Sequence, residues 1–165
     1  ECVANMHLLL EARGAAEQID DIISVGGIDE IHIGLNDLSH SYGKKFLFEE
    51  LADGTVDRLV ERFKADGIKN YGFGGIASLG IGLLPAEMII PEHYRLGSNC
   101  AILSRAFCDV SKVGDIDEIR RIFDEGVSAI RDYEKKCAAM SEQELSENFA
   151  ALKQRVEEIV SNMQQ

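Results

Sequence analysis

The sequence predicts an α/β fold in which short buried strands alternate with amphipathic helices. Apolar, β-branched runs at residues 6–10 and 31–35 have the length and composition of buried strands. Apolar residues recur at helical spacing between these runs, at residues 14–25, and again at residues 55–65. Such alternation of strand and helix is typical of a parallel sheet with right-handed crossovers.

Two further strands are predicted later in the chain, at residues 70–77 and 100–104. Four strand-helix units within the first 110 residues match half of a TIM (β/α)8 barrel, since a whole barrel typically needs ~250 residues. Half a barrel leaves two strand edges and one face of its sheet uncovered. We therefore expect residues 1–110 to be a half barrel that is either a fragment or completed by another chain.

Glycines and prolines mark the ends of several predicted helices. Gly26 and Gly97 are expected to supply left-handed C-caps. Pro85 and Pro91 can each begin a helical turn, but a proline deep inside a helix removes a hydrogen bond. Two short helical segments are therefore expected between residues 83 and 97.

Residues 111–165 are predicted to form a C-terminal helical arm. One helix is expected at residues 115–135, and Ser141 with Glu144 fits a capping box at the start of another. In that last helix, apolar residues spaced alternately four and three apart form a narrow coiled-coil seam: Leu145, Phe149, Leu152, Val156, Ile159 and Met163. Two interpretations stay open, namely packing on the chain's own body or oligomerisation through another subunit.

Composition excludes several classes of partner and location. The 165 residues carry a formal net charge of -12, which argues against a surface for nucleic acid or anionic membranes. The four cysteines are scattered without a CxxC pair, so we expect reduced thiols. The sequence has neither an apolar run of ~20 residues nor the features of a signal peptide. A cytoplasmic protein is expected.

Two carboxylates end consecutive predicted strands, Glu11 after the first and Asp37 after the second. Neighbouring parallel strands lie ~4.8 Å apart, so both carboxylates can converge above the sheet. A hard divalent cation, Mg²⁺ or Mn²⁺, would hold both in the ionised form and polarise a keto acid. The alternatives are ordinary structural roles, as a helix N-terminal acid for Glu11 and an Asx turn for Asp37.

The fourth predicted strand ends beside Arg105. A guanidinium at the end of a barrel strand is suited to a distal carboxylate or phosphate of the substrate. The alternative is a salt bridge to the acidic surface of the protein.

Residues 8–43, LLLEARGAAEQIDDIISVGGIDEIHIGLNDLSHSYG, resemble the central stretch of the HpcH/HpaI aldolase and citrate lyase family. Its members are metal-dependent, pyruvate-type class II aldolases with a barrel fold. The shared pattern is a strand ending in Glu, a helix with a Leu/Ile-Asp-Glu/Asp-Ile run, and a strand of the type Ile-Gly-Pro-x-Asp-Leu-Ser. The resemblance covers about residues 6–108 and corresponds to the C-terminal half of the barrel.

The resemblance implies a carbon-carbon lyase that acts on a 2-keto acid of the pyruvate or oxaloacetate type, together with an aldehyde. It makes Glu11 and Asp37 the ligands of Mg²⁺ or Mn²⁺. It also makes the backbone amides of Asn36 and Asp37, beside Gly34, the cradle for the substrate carboxylate. The catalytic Arg and the His relay of the family belong to the N-terminal half, so no catalytic residue is assigned in this chain.

Two departures from the family pattern affect the site. Leu35 stands where the family commonly has Pro, and Leu9 stands where the aldolases often carry Gln. An acyl-CoA lyase of the citrate lyase β type ranks lower because no Ile-His-Pro segment follows the second strand. An alternative from another functional class is a non-catalytic half barrel or assembly subunit. The expected partners are accordingly further copies of this chain or an N-terminal half barrel.

Overall fold

A computed structural model of the chain describes residues 4–163, which form three strands and eight helices. The strands are β1 (His7–Leu10), β2 (Glu30–Ile33) and β3 (Tyr71–Phe73). The helices are α1 (Arg13–Glu17), α2 (Ile19–Ser24), α3 (Leu35–Ser41), α4 (Glu49–Ala52), α5 (Thr55–Ala65), α6 (Ala86–Leu96), α7 (Ile116–Cys137) and α8 (Glu142–Asn162).

The chain divides into two compact units. Unit 1 comprises the described residues of Glu1–Gly74, together with Ser98–Ala101 and the described residues of Val156–Gln165, and unit 2 comprises Gly75–Gly97 and Ile102–Arg155. Residue 110, the predicted boundary between half barrel and arm, lies within unit 2, and the predicted division stays a prediction.

The sheet of unit 1 is parallel and has the order β1-β2-β3. The register places Leu10 opposite Ile33 and Ile33 opposite Phe73. A fourth segment lies beside β3 through a parallel bridge between Gly72 and Cys100. Within the described residues this segment forms isolated bridges where the sequence predicts a strand at residues 100–104. Sequential parallel order is compatible with a half barrel, which stays a prediction.

One face of the sheet is buried beneath helices of unit 1. Alternation along β2 directs Ile31 and Ile33 to this face, where both are fully buried. Helix α5 packs here through Phe63, whose ring centroid lies 5.8 Å from that of Tyr71. On the opposite face of β1, Leu9 is 51% exposed. The sheet of unit 1 thus has one apolar, covered face and one face that is partly open.

The second strand is shorter than its sequence predicts. It ends at Ile33, and the backbone turns at Gly34 into helix α3, whose first bond runs from the Leu38 amide to the Gly34 carbonyl oxygen. Asp37 therefore lies in the first helical turn, where the sequence predicted a loop. The single helix predicted at residues 14–25 is divided at Gln18 into α1 and α2.

In unit 2, α6 is one continuous helix with Pro91 inside it, so the prediction of two short segments is wrong. A proline at this position leaves the carbonyl of Glu87, four residues earlier, without its helical donor. The Tyr133 hydroxyl of α7 donates to that carbonyl at 3.0 Å, and the Asn148 side-chain amide of α8 donates to the Met88 carbonyl at 3.0 Å. The Tyr133 hydroxyl thus supplies the donor that Pro91 removes, and Asn148 adds a contact one residue later.

Several predicted helix boundaries are confirmed. Gly97 adopts a left-handed C-cap with φ 71°, and Gly26 follows α2 with φ 78°. The capping box before α8 is present, since the Ser141 amide donates to Glu144 Oε2 at 2.7 Å and the Glu144 amide donates to Ser141 Oγ at 3.3 Å. Asp115 caps α7 by accepting from two backbone amides.

The apolar seam of α8 is largely covered within the single chain. Leu152, Val156 and Ile159 are buried, whereas Met163 is 42% exposed. Oligomerisation through this helix stays a prediction. None of the helices in the described part of the chain combines the length and the apolar character needed to span a bilayer.

Candidate metal and substrate site

Glu11 follows β1 directly, at the carboxyl end of the sheet. Its partner in the predicted site, Asp37, follows the neighbouring strand β2 by four residues. The two strands are joined here by a hydrogen bond of 3.0 Å from the Gly34 amide to the Leu10 carbonyl oxygen. The segments that carry Glu11 and Asp37 therefore both follow the carboxyl ends of one parallel strand pair.

The side chain of Glu11, which follows β1, lies against Gly34, which follows β2. A β-carbon built on Gly34 would lie 2.5 Å from both Cγ and Oε1 of Glu11. The Glu11 side chain thus occupies the space that any other residue at position 34 would fill. The φ of Gly34 is -82°, so close approach, rather than a left-handed backbone, explains the glycine.

Asp37 and Asn36 lie in the first turn of α3 and are exposed. The amides of a first helical turn have no acceptor within their own helix, and an acidic side chain is favourable there. The structural alternative for Asp37 is thus a first-turn acid rather than the Asx turn considered from sequence. Glu11 is half-buried against Gly34, so the two carboxylates differ in their exposure.

The turn after β1 is attached to the end of α3. The backbone amide of Arg13 donates to Ser41 Oγ at 2.8 Å, and Ser41 Oγ donates to the Leu38 carbonyl oxygen at 2.7 Å. The Arg13 guanidinium also lies over the ring of Tyr42, 5.6 Å from its centroid. These contacts hold the turn bearing Glu11 and the helix bearing Asp37 in a fixed relation.

The buried carboxylate of Glu50 accepts a hydrogen bond from helix α3. Ser39 Oγ donates to the fully buried carboxylate of Glu50. Lys44 Nζ lies 3.4 Å from Glu50 Oε1 and also pairs with Asp53. The Lys44 backbone amide in turn donates to the Ser39 carbonyl oxygen at 3.0 Å. The segment that follows Asp37 is thus fixed by hydrogen bonds rather than by apolar contacts alone.

The pKa values of Lys44 and Asp53 reflect this pairing. Burial alone lowers the pKa of Lys44, but the neighbouring carboxylates of Asp53 and Glu50 outweigh burial and raise it above its ordinary value. Burial alone raises the pKa of Asp53, but hydrogen bonds from Lys44 and Thr55 outweigh it and lower the pKa. Both groups are therefore held in their charged forms at neutral pH.

Arg105, the predicted contact for a distal substrate group, is exposed in a turn of unit 2. Glu11, Gly34, Asn36 and Asp37 all belong to unit 1. The predicted metal ligands and the backbone cradle thus lie in one unit, and their roles, like that of Arg105, stay predictions.

A second group of chemically active side chains was not predicted from the sequence. Ligand atoms of Glu30, His32 and Cys100 all lie within 4.8 Å of one another in unit 1. The sequence predicts only that His32 lies within the strand at residues 31–35 and that Cys100 begins the strand at residues 100–104. The available signal was the Glu-x-His alternation on β2, which puts both side chains on one face.

Comparisons of the chain with family models, curated proteins and solved structures found no match.

Proposed function

We propose that this chain carries the metal and carboxylate-binding part of a divalent-metal-dependent carbon-carbon lyase that acts on a 2-keto acid. The observation that carries the proposal is the position of the Glu11 carboxylate over Gly34, at the end of one strand and beside the helix that bears Asp37. The resemblance of residues 8–43 to the HpcH/HpaI aldolases gives these same residues this role.

The donor atoms fit the proposed cation. Glu11 and Asp37 offer carboxylate oxygens, which Mg²⁺ and Mn²⁺ prefer, and Asp37 is exposed and accessible to a ligand. When bound, the cation would act as a Lewis acid toward the negative charge that develops on a keto oxygen. Glu11 and Asp37 would hold it, and the absence of a side chain at Gly34 leaves room for the Glu11 carboxylate.

The protein's own contribution to substrate binding is proposed to come from the backbone. The amides of Asn36 and Asp37 lie in the first turn of α3, beside Gly34. Backbone amides bind a carboxylate without adding a side-chain charge to the site. General acid-base groups are proposed to come from the preceding half of the barrel, as the family resemblance implies.

Calorimetric titration with Mn²⁺, in the presence and absence of pyruvate or oxaloacetate, tests this function. We expect Mn²⁺ binding that is strengthened by the keto acid and is lost in Asp37→Ala and Glu11→Gln. Asp21→Ala is the matched control, because Asp21 is also an exposed acid in a first helical turn. Absence of Mn²⁺ binding, or equal binding by the wild type and Asp37→Ala, would refute the proposal.

A second candidate function is that of an assembly subunit whose open sheet face is covered by another half barrel. The exposure of Leu9, at 51%, favours this candidate, since it is a large apolar residue on the open face. We expect Leu9→Lys to lower the molar mass measured by light scattering if such an assembly forms. An unchanged mass would argue against this candidate without affecting the Mn²⁺ titration.

A further inference from the structure

Glu30, His32 and Cys100 bring a carboxylate, an imidazole and a thiol to one place on the sheet of unit 1. Their ligand atoms lie within 4.8 Å of one another. His32 is only 6% exposed, and the side chain of Glu30 is 26% exposed. The group is thus largely shielded from solvent but retains an open side.

The fold gathers these residues through the pairing of three neighbouring segments. Glu30 and His32 are two residues apart on β2, so their side chains share the face opposite Ile31 and Ile33. His32 is paired with Gly72 of β3, and Gly72 is bridged to Cys100. Cys100 therefore lies two segments away from His32 across the sheet, with β3 between them.

Gly72 makes this approach possible because it has no side chain. A β-carbon at position 72 would collide with the Cys100 carbonyl oxygen and lie 2.9 Å from Cys100 Sγ. The thiol consequently occupies the space above the middle strand, next to the groups on β2. Any larger residue at position 72 would separate Cys100 from His32.

The ionisation of the group is set by burial and by Glu30. Burial lowers the pKa of His32, although the charge of Glu30 opposes this effect, so a neutral imidazole is favoured. Burial, the negative charge of Glu30 and a hydrogen bond to Glu30 raise the pKa of the Cys100 thiol to about 11. The metal-free protein thus has a protonated thiol beside a carboxylate.

We propose that Glu30, His32 and Cys100 bind one Zn²⁺ ion through an oxygen, a nitrogen and a sulfur atom. Mg²⁺ and Mn²⁺ prefer all-oxygen sites, whereas a mixed set with thiolate and imidazole is typical of zinc. Three protein ligands leave the fourth tetrahedral position open to water or to a small anionic ligand. As the zinc-sulfur bond forms, the thiol proton passes to solvent and no atom changes its oxidation state.

The dimensions of the group suit such an ion after a small adjustment. Ligand atoms of tetrahedral zinc, at ~2.0–2.3 Å from the metal, lie roughly 3.5 Å from one another. The observed separations of up to 4.8 Å therefore require side-chain shifts on the order of 1 Å. His7, whose Nδ1 lies 3.4 Å from Glu30 Oε2, would orient the carboxylate from the neighbouring strand.

This zinc site is separate from the one proposed for Mg²⁺ or Mn²⁺. Gly34, against which Glu11 lies, follows His32 by two residues, or ~7 Å along a strand. The two sites share no ligand, so the zinc proposal does not depend on the lyase proposal. A variant can therefore lose metal binding at one site while metal binding at the other site remains.

Titration of the reduced, metal-free chain with Co²⁺, a spectroscopic substitute for Zn²⁺, tests the proposal. We expect thiolate-to-cobalt charge-transfer absorption in the near ultraviolet, with an intensity that corresponds to one cobalt ion per chain, and Zn²⁺ to abolish that absorption by displacement. Cys100→Ser should eliminate the absorption, and His32→Asn or Glu30→Gln should weaken binding at least ~10-fold. Asp37→Ala should leave the charge-transfer absorption unchanged.

Matched controls are available elsewhere in the chain. Cys108→Ser removes another half-buried thiol, and His40→Asn removes an exposed imidazole, so both variants should retain the cobalt spectrum. Failure of the wild type to bind Co²⁺ or Zn²⁺, or survival of the charge-transfer band in Cys100→Ser, would overturn the proposal.

A second measurement uses the unmodified chain in case Cys100→Ser does not fold. Alkylation of each cysteine is followed by mass spectrometry with and without Zn²⁺. We expect Zn²⁺ to slow the labelling of Cys100 at least ~10-fold while Cys108 reacts at the same rate in both conditions. Equal labelling of Cys100 in the two conditions would show that the group is only a hydrogen-bonded packing arrangement.

Discussion

Glu11 lies with its side chain directly over the backbone of Gly34, so closely that a β-carbon on Gly34 would come within 2.5 Å of the Glu11 Cγ and Oε1 atoms. The contact joins the end of β1 to the turn between β2 and α3. It couples the position of one carboxylate to the smallest possible residue just after the neighbouring strand. A functional role for Glu11 therefore makes a direct prediction about Gly34.

Gly34→Ala should weaken Mn²⁺ binding at least ~10-fold while lowering the free energy of unfolding by only about 1 kcal/mol. The φ of -82° is available to alanine, so the added methyl acts mainly by displacing the flexible Glu11 side chain. Calorimetry measures the binding, and urea unfolding measures the stability.

Gly14→Ala is the matched control for this substitution. A β-carbon at Gly14 meets no atom within 4 Å, and the residue lies inside α1. We expect unchanged Mn²⁺ binding and a gain of up to about 1 kcal/mol in stability, because glycine is unfavourable within a helix. Wild-type affinity in Gly34→Ala would contradict a ligand role for Glu11.

Lys44→Met should lower the free energy of unfolding by about 2 kcal/mol. The carboxylate of Glu50 is fully buried, and Lys44 Nζ lies 3.4 Å from its Oε1 atom. Removing one partner of a buried ion pair typically costs 3–5 kcal/mol, and we reduce this to about 2 kcal/mol because the Lys44 side chain is 21% exposed. Urea unfolding measures the difference.

Lys45→Met provides the comparison for Lys44→Met, because Lys45 is the adjacent lysine and is exposed. Its removal should change the free energy of unfolding by no more than about 0.5 kcal/mol. Equal effects of the two substitutions would show that the buried pair contributes little to stability.

Acidification should remove a stabilising contribution from Asp53. Hydrogen bonds from Lys44 and Thr55 outweigh the opposing effect of burial and hold the folded pKa of Asp53 below its ordinary value of 3.8. Because the folded pKa is the lower one, this stabilisation is fully present above the unfolded pKa and is lost as pH falls through the folded pKa. Urea unfolding between about pH 5 and about pH 2 measures the loss.

Asp53→Asn should make the free energy of unfolding less dependent on pH in that acid range. The same substitution in the Lys44→Met background should have a smaller effect, since one of the two hydrogen-bond donors is then already absent. An identical slope in the wild type and in Asp53→Asn would contradict the role of Asp53.

Features determined by nearby residues were predictable from the sequence, and features determined by distant contacts were not. Gly97 and the Ser141–Glu144 capping box act on their own helix ends, and both are confirmed. The continuity of α6 through Pro91 depends on donors from α7 and α8, which no local pattern reveals.

The same distinction applies to the two sites. Glu11 and Asp37 follow strands that are adjacent in both sequence and space, so their common edge was predictable. Cys100 lies near His32 because its segment is bridged to Gly72, the residue paired with His32. This proximity was not predictable, because the segment forms isolated bridges instead of the predicted strand. The alternation of Glu30 and His32 was visible in the sequence, but the place of Cys100 beside them was visible only in the structure.

Helix α8 provides a test of whether its apolar seam packs within the chain or between subunits. Leu152 is fully buried in the single chain, so Leu152→Ala should lower the free energy of unfolding by about 3 kcal/mol. Glu157→Ala, an exposed position on the same helix, should change it by no more than about 0.5 kcal/mol.

Protein concentration separates the two interpretations of the α8 seam. If Leu152 is buried within one chain, the unfolding midpoint of the wild type should be independent of concentration, because no association is coupled to folding. A midpoint that rises with concentration, and that loses this dependence in Leu152→Ala, would instead assign the seam to a contact between subunits. Thermal unfolding over a hundredfold range of about 1 to 100 μM distinguishes these outcomes.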